Sequence, residues 1–439
     1  MMNRRDLFRR WIASAVVVML AVSAMAGCSS QKPSSDPSGA SASVQNGGET
    51  TEKVKIAIFT NLTGASASDG EYARRAFEIV EEMMNDKMGG IQSLGGAKIE
   101  LVYHDMMSDN TMIKTVVEKG LSDPDVAFAV GAMGSGYTMA AVPAISKAGV
   151  PMLTTAMADS LDEQNCQYLW LTSPYSSSVA GMTLDYIRYL HDEYDVDTTK
   201  IGIVYCDNEY GVNTSSSFQE LIESDPSLNY VTIQSYPPTI TDMAPVVTQL
   251  KASGAELLYV VPDNQDAKLF MQALNSMEDY DPVLIGGGSG MISPPYGDEL
   301  GDDVCGIMTT AVGSFCQKNV MEDAEWRWAI DTYNERYGGF PGESMTNYMT
   351  NLMICKQVME HTGTTDRETN NAAMGELEFV TPNPTKNNIV KFNETRRNEN
   401  AVNIMCQWQW VEEYQANIPV CVYPDEFAYS ELQFGGGRS

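Results

Sequence analysis

The chain has 439 residues, with 58 Asp+Glu against 28 Lys+Arg, a formal net charge of −30 and 3 His. At about 150 residues per domain the length suggests two to three domains, and 43% hydrophobic residues exclude wholesale disorder. The charge excludes nucleic acid as a partner, because phosphate contacts draw on Lys and Arg, and it disfavours adhesion to anionic lipid.

In chain order, residues 1–27 read as an export signal. Arg4, Arg5, Arg9 and Arg10 form a basic start, and Ile12 to Ala26 is an apolar run too short to span a bilayer. The run ends in Met25-Ala26-Gly27-Cys28, which resembles a lipobox, with Cys28 the lipidated first residue of the mature chain. Asn3-Arg4-Arg5-Asp6-Leu7-Phe8 also resembles a twin-arginine signal, so export by the general secretory or the twin-arginine route stays open. Cleavage removes four Arg and one Asp, which leaves the body at −33. Residues 28–52 follow as a Ser/Gly/Pro-rich tether with a reach of about 25–30 Å. An acyl anchor and a tether together hold a soluble body beside a membrane without spanning it.

From Val54 onward, short apolar runs alternate with amphipathic stretches. Strands are predicted at 54–59, 99–103, 126–130 and 151–154, with helices at 71–84, 112–121 and 139–147 between them. The alternation restarts with a helix at 175–194. Strands at 200–205, 230–235, 256–261 and 282–285 follow, with helices at 209–222, 243–252 and 265–276. Long helices at 326–336 and 347–360 come next, then antiparallel strands at 388–392 and 402–411. Repeated βα units predict two α/β lobes with parallel, doubly wound sheets. Such sheets bind ligands at the carboxyl ends of their strands. Here those ends carry Asn61–Gly64, Gly131–Tyr137, Thr154-Thr155, Cys206–Gly211, Pro262–Asn264 and Gly286–Gly290.

Catalytic motifs are missing. The sequence has no G-x-S-x-G elbow, no Gly-Lys dipeptide for a phosphate loop, no complete G-x-G-x-x-G, no H-E-x-x-H and no C-x-x-C. His104, His191 and His361 have no metal-ligand spacing. The expectation is therefore no enzyme, no cofactor and no metal. Of the cysteines after Cys28, Cys305–Cys316 and Cys406–Cys421 are available as bridges; reduced, buried thiols are the alternative.

Several segments resemble the type I periplasmic binding proteins, specifically the branched-chain amino acid (Leu/Ile/Val) and amide-binding group of ABC importers. Val54 to Gly64 resembles that group's opening strand and "PLTG" loop. Gly89-Gly90-Ile91 and Gly95 to Leu101 resemble its "NAAGGILGGKKIEL" stretch, and Tyr103-His104-Asp105 its "YDD". Gly149-Val150-Pro151-Met152 resembles "AGVPMIS", and Asn208-Glu209-Tyr210-Gly211 resembles "xxYG". Ala255 to Leu258 resembles "GADAV". Lys391 to Glu394, followed by Gln407-Trp408, resembles the closing hairpin.

The resemblance implies two Rossmann-like lobes joined by three hinge crossovers, with lobe 1 at 53–173 plus 305–378 and lobe 2 at 174–304 plus 379–439. It implies a monomeric extracytoplasmic protein that closes on a small polar ligand, an amino acid, amide or related carboxylate, and delivers it to a permease and its ATPase. A ligand sensor of the same fold is the alternative. Carried over by position, the ligand carboxylate falls to Ser135, Gly136 and Tyr137 and to Thr155, Ala156 and Met157, where Met157 stands at a usual Thr. Tyr210 is a ligand wall, and Phe315 a further apolar one. The group's acidic residue for a ligand ammonium is absent at Gly287-Gly288-Ser289; Asp263 or Asp207 is available in its place.

Overall fold

A computed structural model describes residues 52–383 and 385–433. The export signal, Cys28 and nearly all of the tether lie outside the described residues.

The first sheet contains β1 (Lys53–Thr60), β2 (Lys98–Asp105), β3 (Val126–Gly131), β4 (Met152–Thr154) and β5 (Leu169–Leu171), in the order β2-β1-β3-β4-β5. All its pairings are parallel. Helices α1 (Ala67–Glu82), α2 (Ile113–Leu121) and α3 (Ser135–Ala148) make the returns. Parallel pairing needs such crossovers, and they cover both faces of the sheet. That is why β3, Val-Ala-Phe-Ala-Val-Gly, is buried at every position.

The second half runs α4 (Ser176–Tyr194), β6 (Ile201–Cys206), α5 (Glu209–Glu223), β7 (Tyr230–Tyr236), α6 (Ala244–Ser253), β8 (Leu257–Val261), α7 (Asn264–Asn275), β9 (Val283–Gly286), α8 (Pro294–Leu300) and β10 (Met308–Ala311). Next come α9 (Lys318–Glu322), α10 (Ala324–Tyr337), α11 (Gly342–Thr362) and α12 (Arg367–Met374). Strands β11 (Glu378–Val380), β12 (Ile389–Lys391), β13 (Ile404–Val411) and β14 (Ala416–Tyr423) close the chain. The second sheet has the order β14-β13-β10-β9-β8-β6-β7, with β13 and β14 antiparallel to their neighbours. Two mostly parallel sheets flanked by helices make the two-lobe α/β fold expected from the alternation.

The pairings also show which lobe the later segments join. Strand β10 pairs with β9 and β13 in the second sheet, although the expected lobe 1 begins at 305. Residues 389–398 sit against the first sheet instead of the second: Leu171 bridges Arg397, and the ring of Phe392 meets Trp170 edge-on at 4.9 Å. Helix α11 packs on α1 and β3, and Phe77 stacks on Tyr348 at 4.0 Å. Burying a side chain of that size contributes about 1.5–3 kcal/mol.

One boundary differs with consequence for the site. Helix α3 begins at Ser135, not at Met139, because the Thr138 N–H donates to the Gly134 carbonyl at 3.0 Å and closes a first turn there. Gly131 makes the sharp exit from β3 possible. Its φ is +129°, and a Cβ would lie 2.1 Å from the Phe59 carbonyl oxygen.

Candidate functional site

The carboxyl ends of both sheets face one cleft of 530 Å³. That volume suits a small molecule. All eight residues singled out for binding, Ser135, Gly136, Tyr137, Thr155, Ala156, Met157, Tyr210 and Asp263, line it. Asp207 is exposed and is not among the lining residues. Phe315 is not among them either: it is 1% exposed and stacks on Phe340 in the core, which corrects its expected place on the ligand wall.

Two loops of the first lobe are knitted together beneath the cleft. The Ser135 hydroxyl accepts the Ala158 N–H at 3.0 Å and the Met157 N–H at 3.3 Å. The Thr138 hydroxyl donates to the Ala132 carbonyl, and the Thr154 hydroxyl accepts the Ala156 N–H at 3.2 Å. The carbonyls of the same loop point the other way, to Arg397. That guanidinium is 0% exposed and reaches the oxygens of Ala158 at 3.0 Å and Pro174 at 3.1 Å. It pairs with Asp162 at 2.6 Å and lies over the Tyr175 ring at 4.3 Å. One buried fork thus ties the 156–158 loop, the first crossover and the 393–397 turn together. The N–H groups of Ser135, Gly136 and Tyr137 open α3 and have no acceptor within the helix, so this end of the cleft favours a ligand acceptor.

On the second lobe, Asn208 caps α5 by accepting the Gly211 N–H at 2.8 Å. This places Tyr210 against the 287–288 loop, where its hydroxyl donates to the Gly287 carbonyl at 2.9 Å. Gly288, at φ +140°, has room for no side chain, since a Cβ would lie 2.8 Å from the Tyr210 ring. Tyr210 is therefore a wall whose polar end is already engaged. Burial raises its hydroxyl pKa further above the ordinary phenol range.

The charged lining is all of one sign. Asp69, Asp263, Asp266 and Glu343 line the cleft, and no Lys, Arg or His is among the described lining residues. Burial pushes the Asp266 carboxyl up to about 7, and the Asp263 charge adds to the shift. Burial likewise pushes Glu343 up to about 7, although the Val312 backbone N–H opposes this. Burial and then the charge of Asp263 raise the Tyr137 hydroxyl, so Asp263 of the second lobe acts on a lining residue of the first. Of these four carboxylates, sequence reasoning had reached only Asp263. The available signal for Asp266 was its place one helical turn beyond Asp263; Asp69 and Glu343 lie in the first turns of α1 and α11.

Across the cleft mouth, Tyr72 of α1 bonds Asp298 of α8. Gln265 donates to the Ala65 carbonyl at 2.9 Å, and Ser160 to Glu209 at 2.6 Å. These contacts hold the lobes together at the rim. Among the described residues no group of side chains suits a metal, and no helix is long and apolar enough to cross a membrane. The seven described cysteines are free; Cys305 is exposed and bonds Asn417, whereas Cys316 is buried.

A family model described as periplasmic binding protein matches residues 53–409. The chain belongs to this family. It is a family of binding proteins, not of enzymes. Among its relatives, the Leu/Ile/Val-binding protein homolog 7 of Brucella suis biovar 1 is 27% identical over 386 residues, covering 87% of this chain and 94% of its own. The Leu/Ile/Val-binding protein homolog 8 of Brucella abortus is 27% identical over 388 residues, covering 87% of this chain and 93% of its own. The fold is shared with a branched-chain amino acid transporter substrate binding protein of Streptococcus pneumoniae in complex with isoleucine. That match has a TM-score of 0.69 at 19% identity, covering 85% of this chain and 100% of that one. It is shared equally with an ABC transporter solute binding protein of Rhodopseudomonas palustris in complex with 3,4-dihydroxybenzoic acid. There the TM-score is 0.69 at 18% identity, with 84% and 97% covered.

Proposed function

We propose that the chain is an extracytoplasmic solute-binding protein, anchored through a lipid on Cys28, that captures a small polar ligand between its lobes and delivers it to an ABC importer. The observation that carries this reading is the inter-lobe cleft, lined by loops from the carboxyl ends of both sheets. We assign an acceptor group of the ligand to the open amides of Ser135, Gly136 and Tyr137 and to the Thr155 hydroxyl. Met157 and Tyr210 form the walls beside it, and Asp263 faces it from the second lobe. A ligand that touches both lobes has more contacts when they are together and so favours the closed arrangement. The permease then meets only the loaded shape.

A thermal-shift screen of the purified protein against amino acids, amides, amines and small carboxylates tests the reading. The expected outcome is stabilisation by one chemical class at millimolar concentration or below. Absence of stabilisation across the whole screen would sink it.

A further inference from the structure

We infer that the ligand is a small organic cation, a diamine or a basic amino acid, whose protonated nitrogens are held by Asp266 and Glu343. The inference rests on the binding reading above and deepens it.

The first observation is the sign of the lining: Asp69, Asp263, Asp266 and Glu343, with no cationic side chain among the described lining residues. An anion the size of a benzoate would enter this field with the α3 amides and the Thr155 hydroxyl, and no cationic side chain among the described lining residues, to hold it. An uncharged side chain would leave Asp266 and the Oε2 of Glu343 without a donor.

The second observation is independent of that count. Asp266 is 4% exposed, yet neither of its carboxylate oxygens has a hydrogen bond. The Tyr236 hydroxyl and Cys206 thiol lie close enough to favour its ionised form, but neither reaches hydrogen-bond geometry, and the Tyr236 hydroxyl has no partner of its own. Glu343 repeats the pattern on one oxygen: its Oε2 is buried with no partner, while the Val312 N–H serves the group. Buried carboxylates are ordinarily satisfied, because leaving one without a donor forfeits its hydration for nothing. Elsewhere this chain fully satisfies a half-buried carboxylate. Asp105 accepts the N–H groups of Leu62, Thr63 and Met107 and the Thr63 hydroxyl. Asp266, open on both oxygens, and Glu343, open on one, both face the cleft.

Their placement sets the shape of the occupant. Asp266 stands in the first turn of α7 in the second lobe, and Glu343 in the first turn of α11, which packs on the first sheet. A molecule with protonated nitrogens at separated positions meets both, with its methylene stem along Met106, Met133 and Ile292. A diamine uses the carboxylates alone. A basic amino acid also places its carboxylate on the Ser135–Tyr137 amides. Burial, which pushes both carboxyls up to about 7, fits sites that ionise fully when a cation arrives.

Titration calorimetry of the purified protein at pH 8 with 1,4-diaminobutane, lysine, isoleucine and 4-hydroxybenzoate tests the inference. The expected result is binding of the diamine or lysine at least tenfold tighter than of the other two probes. A diamine preference identifies a plain amine, and a lysine preference adds the carboxylate. In D266N the affinity for the cation falls at least tenfold, and E343Q gives a similar loss. Tighter binding of isoleucine or 4-hydroxybenzoate than of either cation overturns the inference and leaves the binding reading intact. Silence from all four probes overturns it too, and the binding reading then depends on the wider screen. Circular dichroism shows which variants fold. Unchanged affinity in whichever variant is folded overturns the inference.

Discussion

Two buried charges in this protein are treated in opposite ways. Arg397 is fully buried and fully satisfied: Asp162 pairs with it, carbonyls of the 156–158 loop and the 173–174 crossover surround it, and Tyr175 lies beneath it. Asp266 is nearly as buried and has no hydrogen bond on either oxygen. A charge taken out of water is tolerated when the geometry returns what hydration supplied. The Arg397 site meets that condition within the chain, so its role is to hold a loop still. The Asp266 site does not, so its carboxyl holds a proton up to about pH 7 and, once ionised, draws its counter-charge from outside. A satisfied buried charge organises this fold, and an unsatisfied one marks where it binds.

The largest expected effect comes from breaking the satisfied side. R397M leaves the Oδ1 of Asp162 and several carbonyls without their donor, and we expect a loss of about 3–5 kcal/mol in urea unfolding. R397K keeps the charge without the planar fork and should fall between the two proteins.

The unsatisfied side predicts a pH signature. The Asp266 carboxyl lies at about 7 in the folded chain against 3.8 when unperturbed. A raised carboxyl favours folding fully below the unfolded value, and that contribution is lost as pH rises through the folded one. The ligand-free protein and D266N should therefore be similarly stable near pH 4. By pH 8 the variant should be the more stable, by roughly 4 kcal/mol at most. Urea midpoints measured from pH 4 to pH 8 check this; a difference that does not grow with pH would mean that Asp266 is satisfied after all.

Smaller effects sharpen the picture of the loops. S135A removes the acceptor for the Met157 and Ala158 N–H groups and should cost about 1–3 kcal/mol in chemical denaturation. It should also weaken ligand binding by loosening the 156–158 loop. Y210F breaks one bond to the Gly287 carbonyl and keeps the wall, so a change of about 1 kcal/mol in stability with little loss of affinity is expected.

Much of this was legible in the residues. The loops that hold Ser135 to Tyr137, Thr155, Tyr210 and Asp263 follow from the carboxyl ends of predicted strands, and the resemblance to the branched-chain amino acid binding group singles out these residues within them and adds Ala156 and Met157. Strands β5, Leu-Trp-Leu, and β10, Met-Thr-Thr-Ala, were missed, since three or four residues buried on both faces leave no alternation to read. The start of α3 was placed late because Ser135, Gly136 and Thr138 are poor helix formers; the closing bond from Thr138 to Gly134 decides it.

The sequence by itself determined the alternation of strands and helices, the sign of the body's charge and the loops at which a ligand would sit. These follow from local periodicity and composition. Only the tertiary structure decided which few of the 58 acidic residues face the cleft without a partner, and that Arg397 meets Asp162 across 235 positions of chain. The reason is physical. Whether a charge is satisfied depends on donors and acceptors brought together by packing from distant segments, and no local pattern records that meeting.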